Sequence, residues 1–182
     1  MKTMIKRHRV ATALIIGSVA IGLCGAISYR WNFPHGNTHH ACISNLGKAL
    51  QAYAETNGGY FPAGGRCPEA SLSLLHYSTD PGAENLGGKA VPPGVAQIVL
   101  GADGFLSPDS CDWHYVEGLT RSDDIRIALL WDKLGLGHQG NRLSRGGHEV
   151  LFINGDARDI EGSDWPQFLR EQEELRAGRK TK

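Results

Sequence analysis

The run from Val10 to Ile27 carries no charged residue, and this stretch constrains the chain more than any other. Eighteen residues in a helix reach roughly 27 Å, close to the hydrocarbon thickness of a bilayer. Lys2, Lys6, Arg7 and Arg9 all precede the run. The positive-inside rule then leaves the N-terminus in the cytoplasm and exports the chain beyond the run. The expected organisation is a basic cytoplasmic segment over 1–9, a transmembrane helix over 10–29 and one exported domain over 30–182. A cleaved secretory signal is the rival reading, because Ser18-Val19-Ala20 and Cys24-Gly25-Ala26 both offer small residues in a cleavage pattern. Either way the same domain leaves the cytoplasm, and the expected location is the bacterial inner membrane with the C-terminal domain outside it.

Along the membrane run Ser18, Gly22 and Ala26 recur every four positions. Such a stripe lets another helix approach closely, so these three residues are the candidate partner-binding face within the bilayer. About 150 residues remain for the exported part, enough for one domain with a real core. Five of the 19 Lys and Arg residues lie at or before Arg30 and none of the 19 acids does, leaving 14 basic against 19 acidic residues, a net charge of −5. A nucleic-acid partner wants a basic face, and the remaining basic residues are scattered among acids, so DNA and RNA binding are discounted.

Export places Cys42, Cys67 and Cys111 in an oxidising setting. One disulfide and one thiol is the simplest accounting. Three pairings are open, and Cys67 with Cys111 is favoured because both lie in loop-like stretches. His35, His39, His40, His138 and His148, with Asp132 or Asp156, supply metal-ligand chemistry, but no C-x-x-C or H-x-x-x-H spacing organises them. They read as solvent-exposed histidines. Asp103, Asp109 and Asp112 offer carboxylates in one loop without EF-hand spacing. No cofactor is expected, calcium being the single cation left open. Ser107, Ser110 and His114 are close in sequence, yet no elbow or oxyanion motif frames them, so the chain is read as a non-enzyme.

From Thr38 to Asn57, Ile43, Leu46, Leu50 and Tyr53 fall at helical spacings, and Asn57-Gly58-Gly59 supplies a left-handed stop before Pro62. Pro68 to His76 predicts a second, short helix. Ser78 to Gly94 holds seven Gly and Pro residues and is expected to be a loop, while Val95 to Leu100 is too short to assign. Trp113 to Val116, Ile125 to Trp131 and Glu149 to Ile153 read as strands of an antiparallel sheet. Asn154-Gly155 predicts a two-residue type I′ hairpin into Asp156 to Ile160. A final helix is expected from Asp164, with Gln167 as capping-box partner and Pro166 in its first turn, and with a fraying charged tail from Glu171.

Membrane helix, amphipathic helix, loop and antiparallel strands succeed one another in the order of a type IV pilin or type II secretion pseudopilin. The passage from Cys42 through Asn45, Leu46 and Tyr53 to Gly58-Gly59-Tyr60-Phe61-Pro62 resembles the Cys-x-x-Asn-Leu…Tyr…Gly-x-(Phe)-Pro pattern of G-type pseudopilin-like proteins. Ala128 to Lys133, His138, and His148 to Gly155 resemble the C-terminal part of a related pilin-like family, with Asn154-Gly155-Asp156 where that family has Asp-Gly-His. Together the likenesses cover about half of the exported domain. They imply a pilin-like α+β fold, in which the N-terminal membrane helix continues into an amphipathic helix packed on a small antiparallel sheet. They also imply a structural or assembly role in a secretion or pilus-like envelope system. Between Met1 and Gly25 the chain has neither the Gly-Phe processing site nor the Glu at the fifth mature position of those families. The implied component is therefore one that prepilin peptidase does not trim. The alternative expectation is a periplasmic domain, released from a signal peptide, that binds a metal or small ligand through the loop from Ser78 to Gly94.

Overall fold

A computed structural model of the chain describes Gly22 and residues 41–92, 94–102, 104–137 and 146–179. Helix α1 (Ala41–Thr56) is followed by four short helices, α2 (Pro68–Leu72), α3 (Leu74–Ser78), α4 (Ala83–Gly87) and α5 (Val95–Gly101). Strands β1 (Trp113–Tyr115), β2 (Ala128–Asp132), β3 (His148–Phe152) and β4 (Ala157–Ile160) come next, and helix α6 (Trp165–Arg179) closes the chain. The strands form one antiparallel sheet in the order β1-β2-β3-β4. The class is α+β, as expected.

Helix α1 forms where the spacing predicts. Ile43, Leu46 and Leu50 are fully buried and Tyr53 half-buried, with Cys42, Ala49 and Ala54 widening the apolar face. The helix lies on one face of the sheet, and Gly47 sets the distance: a Cβ there would stand 2.9 Å from Leu151 Cδ1. Gln51 adds a long-range tie, donating to the Ile153 carbonyl at 2.6 Å. The helix ends as its sequence dictates. Gly59 N–H bonds the Ala54 carbonyl at 2.8 Å, and Gly58 and Gly59 both take positive φ.

Strand β2 is buried on both faces. A β-bulge between Ala128 and Leu130 puts Leu129 and Leu130 together in the core under α1, whereas Ala128 and Trp131 join the opposite layer with Val150, Phe152 and Phe168 of α6. Simple alternation across β2 therefore fails at this point. Helix α6 is pinned over the start of β2 by Gln172, which accepts from Ala128 N–H at 2.7 Å and donates to the Arg126 carbonyl at 3.0 Å.

Several expectations are corrected. The helix predicted over Pro68 to His76 is two, broken at Ser73, whose hydroxyl donates to the Glu69 carbonyl at 3.2 Å and accepts from Leu106 N–H at 2.8 Å. The stretch expected as a loop from Ser78 to Gly94 contains α4, and Leu86, Gly87 and Gly88 are buried. The hairpin after β3 forms, with a different turn. Leu151 pairs with Ala157, Gly155 N–H bonds the Phe152 carbonyl at 2.9 Å, and Gly155 alone has positive φ, at 90°. This is a three-residue loop with a G1 bulge, not a type I′ turn. Asn154 instead uses its side-chain oxygen to accept from Asp156 N–H at 3.1 Å. Helix α6 runs on to Arg179 where fraying was expected from Glu171. Arg179 holds it by pairing with Asp123 at 2.6 Å and donating to the Gly118 carbonyl at 2.7 Å. Gln167 does not act as a capping-box partner, since its amide donates to Glu171.

The transmembrane segment and its stripe lie outside the described residues, apart from Gly22, which is helical and exposed. Among the described residues no helix is long and apolar enough to cross a membrane.

Candidate functional site

The inward phase of β3 runs Glu149, Leu151, Ile153, all buried and all on the face that α1 covers. Two of these are ordinary core residues; the third is a carboxylate. Beside it, Asp132 ends β2 on the same face, opposite Trp113 of β1. Both carboxylate side chains are 0% exposed, and Lys89, whose side chain is 1% exposed, reaches them from the segment after α4. Its ammonium lies 2.5 Å from Glu149 Oε2 and 3.6 Å from Asp132 Oδ2, and donates to the Leu136 carbonyl at 2.5 Å. The Trp113 ring forms a wall, 5.9 Å from Lys89 Nζ to the ring centre.

Lys89 enters because the chain before it presses flat against β1. Asp112 N–H bonds the Gly87 carbonyl at 2.7 Å, and Trp113 Nε1–H bonds the Asn85 carbonyl at 2.7 Å. Gly88 sits at φ 86°, and a Cβ there would meet Asp112 Cβ at 2.9 Å. Only glycine combines that backbone with that approach.

The second oxygen of Asp132 is held by donors. Oδ1 accepts from Glu149 N–H at 3.1 Å and lies 3.1 Å from His148 Nδ1, which is also 2.7 Å from the Asp132 carbonyl. Both neighbours of Nδ1 are acceptors, which assigns the hydrogen to that nitrogen. The His148 ring stacks on Trp165 at 3.9 Å. Burial pulls this imidazole down, but the hydrogen bonds and charge of Asp132 outweigh it and leave its pKa above the ordinary 6.5. Asp112, also buried, is pushed up to about 6, by burial first and by the charge of Asp132 after the relief its bond from Ala90 N–H supplies. Burial likewise pushes the Cys42 thiol up to about 11, with Lys89 pulling the other way and Glu149 adding to the rise. The site is thus one amine between two carboxylates, shut off from water at the edge of an apolar core.

Around it lie two outer features. An aromatic ladder covers the far face of the sheet, with His114 stacked on Trp131 at 4.2 Å and Trp165 edge-on to Trp131 at 6.1 Å. Next to α6 a groove of about 850 Å³ is lined by Arg126, Phe152, Arg158, Phe168 and Gln172 among others. The Arg158 guanidinium sits 4.1 Å over the Phe152 ring.

The site residues expected from the sequence are distributed differently. Cys67 and Cys111 are free thiols, so the bridge expected between them is not formed in this structure. The two sulfurs face different carbonyls, Leu106 at 3.9 Å and Leu86 at 3.3 Å. Of the loop acids, Asp103 lies outside the described residues, Asp109 is exposed, and Asp112 is buried against Ala90. No group of three His, Cys, Asp or Glu residues among those described is arranged to hold a metal. His35, His39, His40 and His138 lie outside the described residues, and His148 is partly buried and bonded where exposure was expected. Ser107 and Ser110 bond each other, and His114 is engaged with Trp131. Ser18 and Ala26 are not among the described residues. Sequence reasoning passed over Lys89 and Glu149. Glu149 had a signal, its inward phase with Leu151 and Ile153; Lys89 had none.

No family model, no curated protein and no solved structure matches the chain.

Proposed function

We propose that this chain is a membrane-anchored, pilin-like structural or assembly component of a secretion or pilus-like envelope system, with its N-terminus inside and its α+β domain exported. The observation that carries the reading is α1 lying across an antiparallel meander. Ile43, Leu46 and Leu50 are buried on that side of the sheet, and Asn57-Gly58-Gly59 turns the chain away. These are the same residues on which the resemblance to G-type pseudopilin-like proteins rests. Partners would be the lipid bilayer and assembly proteins met through Ser18, Gly22 and Ala26. The role is mechanical, and no catalytic step or cofactor enters it.

Expression of the full-length chain with a C-terminal tag, followed by alkaline washing of membranes and mass determination, tests this. The expected result is a membrane-retained chain not shortened near Ala20 or Ala26. Release of a shortened chain overturns the anchored reading and favours the periplasmic ligand-binding alternative. For that alternative the groove beside α6 is the observation in favour, since Leu86, Gly87 and Gly88 bury the middle of the stretch that was expected to be the binding loop. Gly22→Leu is expected to weaken association with the membrane partner in a membrane two-hybrid assay; an unchanged signal removes the stripe from the proposal.

A further inference from the structure

We propose that Lys89 and Asp132 are built to join in an intramolecular amide bond, with Glu149 moving the protons. The bond-forming groups are assigned by the environment of each oxygen. Asp132 Oδ1 is held by two hydrogen-bond donors, Glu149 N–H and His148 Nδ1–H, each at 3.1 Å. That is how a carbonyl oxygen is held when negative charge is about to build on it. Asp132 Oδ2 has no hydrogen-bond partner among the described residues and faces Lys89 Nζ at 3.6 Å. It is the oxygen placed to leave. Glu149 Oε2, at 2.5 Å, is the nearest carboxylate oxygen to the ammonium and the natural proton acceptor.

The reaction balances without any co-reactant. Glu149 takes one proton from the Lys89 ammonium and passes it to Asp132 Oδ2. The freed amine attacks Cγ of Asp132, the electron pair of the C=O bond moves onto Oδ1, and the two donors hold the resulting oxyanion. Glu149 then carries the second proton from nitrogen to Oδ2, the Cγ–Oδ2 bond breaks, and one water departs. An ammonium and a carboxylate have become an amide and water, with Glu149 restored. Burial serves the step twice. It holds the partners close enough for the reaction to be effectively unimolecular, and it keeps bulk water from reversing it. The product ties the segment after α4 to the end of β2, fastening the helical half of the domain to the sheet. The reading is independent of the pilin-like proposal.

Peptide mapping of the purified full-length protein by mass spectrometry tests it. The expected result is a branched peptide joining the segments that contain Lys89 and Asp132, one water lighter than the two together. Fragmentation should place the branch at Asp132. Two separate linear peptides at full mass, or a branch at Glu149, overturn the assignment. Glu149→Gln keeps the size of the side chain and removes the proton carrier, so only linear peptides are expected from it. Full branching in that variant overturns the role given to Glu149. The wild-type map is decisive whether or not the variant folds.

Discussion

The face of the sheet under α1 and the charged end of the same face are both closed to water, yet they are held by unlike physics. Under α1, Leu46, Leu50, Leu129, Leu151 and Ile153 gain from apolar area removed from water, a non-directional term that degrades in proportion to the area lost. At the end of the face, Lys89, Asp132 and Glu149 have surrendered their hydration and depend on one another. The two regions therefore fail differently. An apolar core tolerates a smaller side chain at the cost of a cavity, whereas a buried ion cluster that loses one member keeps the desolvation cost of the others.

The sharpest way to break this contrast is Lys89→Met, which keeps the length of the side chain and removes its charge. It leaves two buried carboxylates facing each other and removes the amine of the proposed amide, so a loss of at least about 3–5 kcal/mol is expected. Urea unfolding followed by tryptophan fluorescence measures it. A loss under about 1 kcal/mol would show that neither the charge of Lys89 nor a cross-link through it holds the fold. On the apolar side, Leu50→Ala is expected to cost about 2–5 kcal/mol in the same assay, the spread reflecting how far the site can collapse.

Gln172→Ala probes the opposite face, where α6 meets β2. It removes the partners of Ala128 N–H and the Arg126 carbonyl, and about 1–3 kcal/mol is expected from leaving the buried Ala128 N–H unmet. A change confined to α6, visible as faster hydrogen exchange there with the sheet protected, would show that the helix is an independent attachment.

The smallest effect is the dependence on pH, and it separates the two regions most cleanly. His148 holds its proton more tightly in the fold than its ordinary 6.5, so its contribution is complete below that pH and is lost as pH rises through the raised value. Asp112 has a folded value of about 6 against 3.8. The native state therefore keeps this proton longer than the unfolded chain, and stability drains as pH rises from 3.8 toward 6. Both groups act in one direction, and His114, which burial first holds below its ordinary 6.5, acts in the other. The Asp112 contribution falls as pH rises toward 6, and Asp112→Asn should remove that part of the slope. A profile that rises with pH would place the dominant titrating groups elsewhere.

Much of the fold was legible because its signals are local. The helical spacing from Ile43 to Tyr53 and the stop at Asn57-Gly58-Gly59 are properties of neighbouring residues, as are the short apolar and aromatic runs that became β1, β2 and β3. The hairpin was legible as a reversal but not in its loop length. Asn-Gly suits two left-handed residues, but the chain uses Gly155 alone and spends the Asn154 side chain on Asp156. The Gly- and Pro-rich stretch after Ser78 was misread for a related reason. Its composition describes backbone freedom, and Gly88 uses that freedom to pass close to Asp112 and Trp113. The candidate site was legible only in part. Glu149 shares the phase of Leu151 and Ile153, and a charged residue at an inward position asks for a partner. That partner, Lys89, is sixty residues away.

By itself the sequence determined the apolar run, the amphipathic helix, the strands and the balance of charge, because each comes from side-chain chemistry repeated at short range. The tertiary structure decided that Lys89 faces Asp132 and Glu149, that His148 is held between Asp132 and Trp165, and that α6 is anchored by Gln172. Those pairings depend on how the sheet and helices come together in space, and on the cost of burying a charge without its counterpart, neither of which is written in the spacing of neighbouring residues.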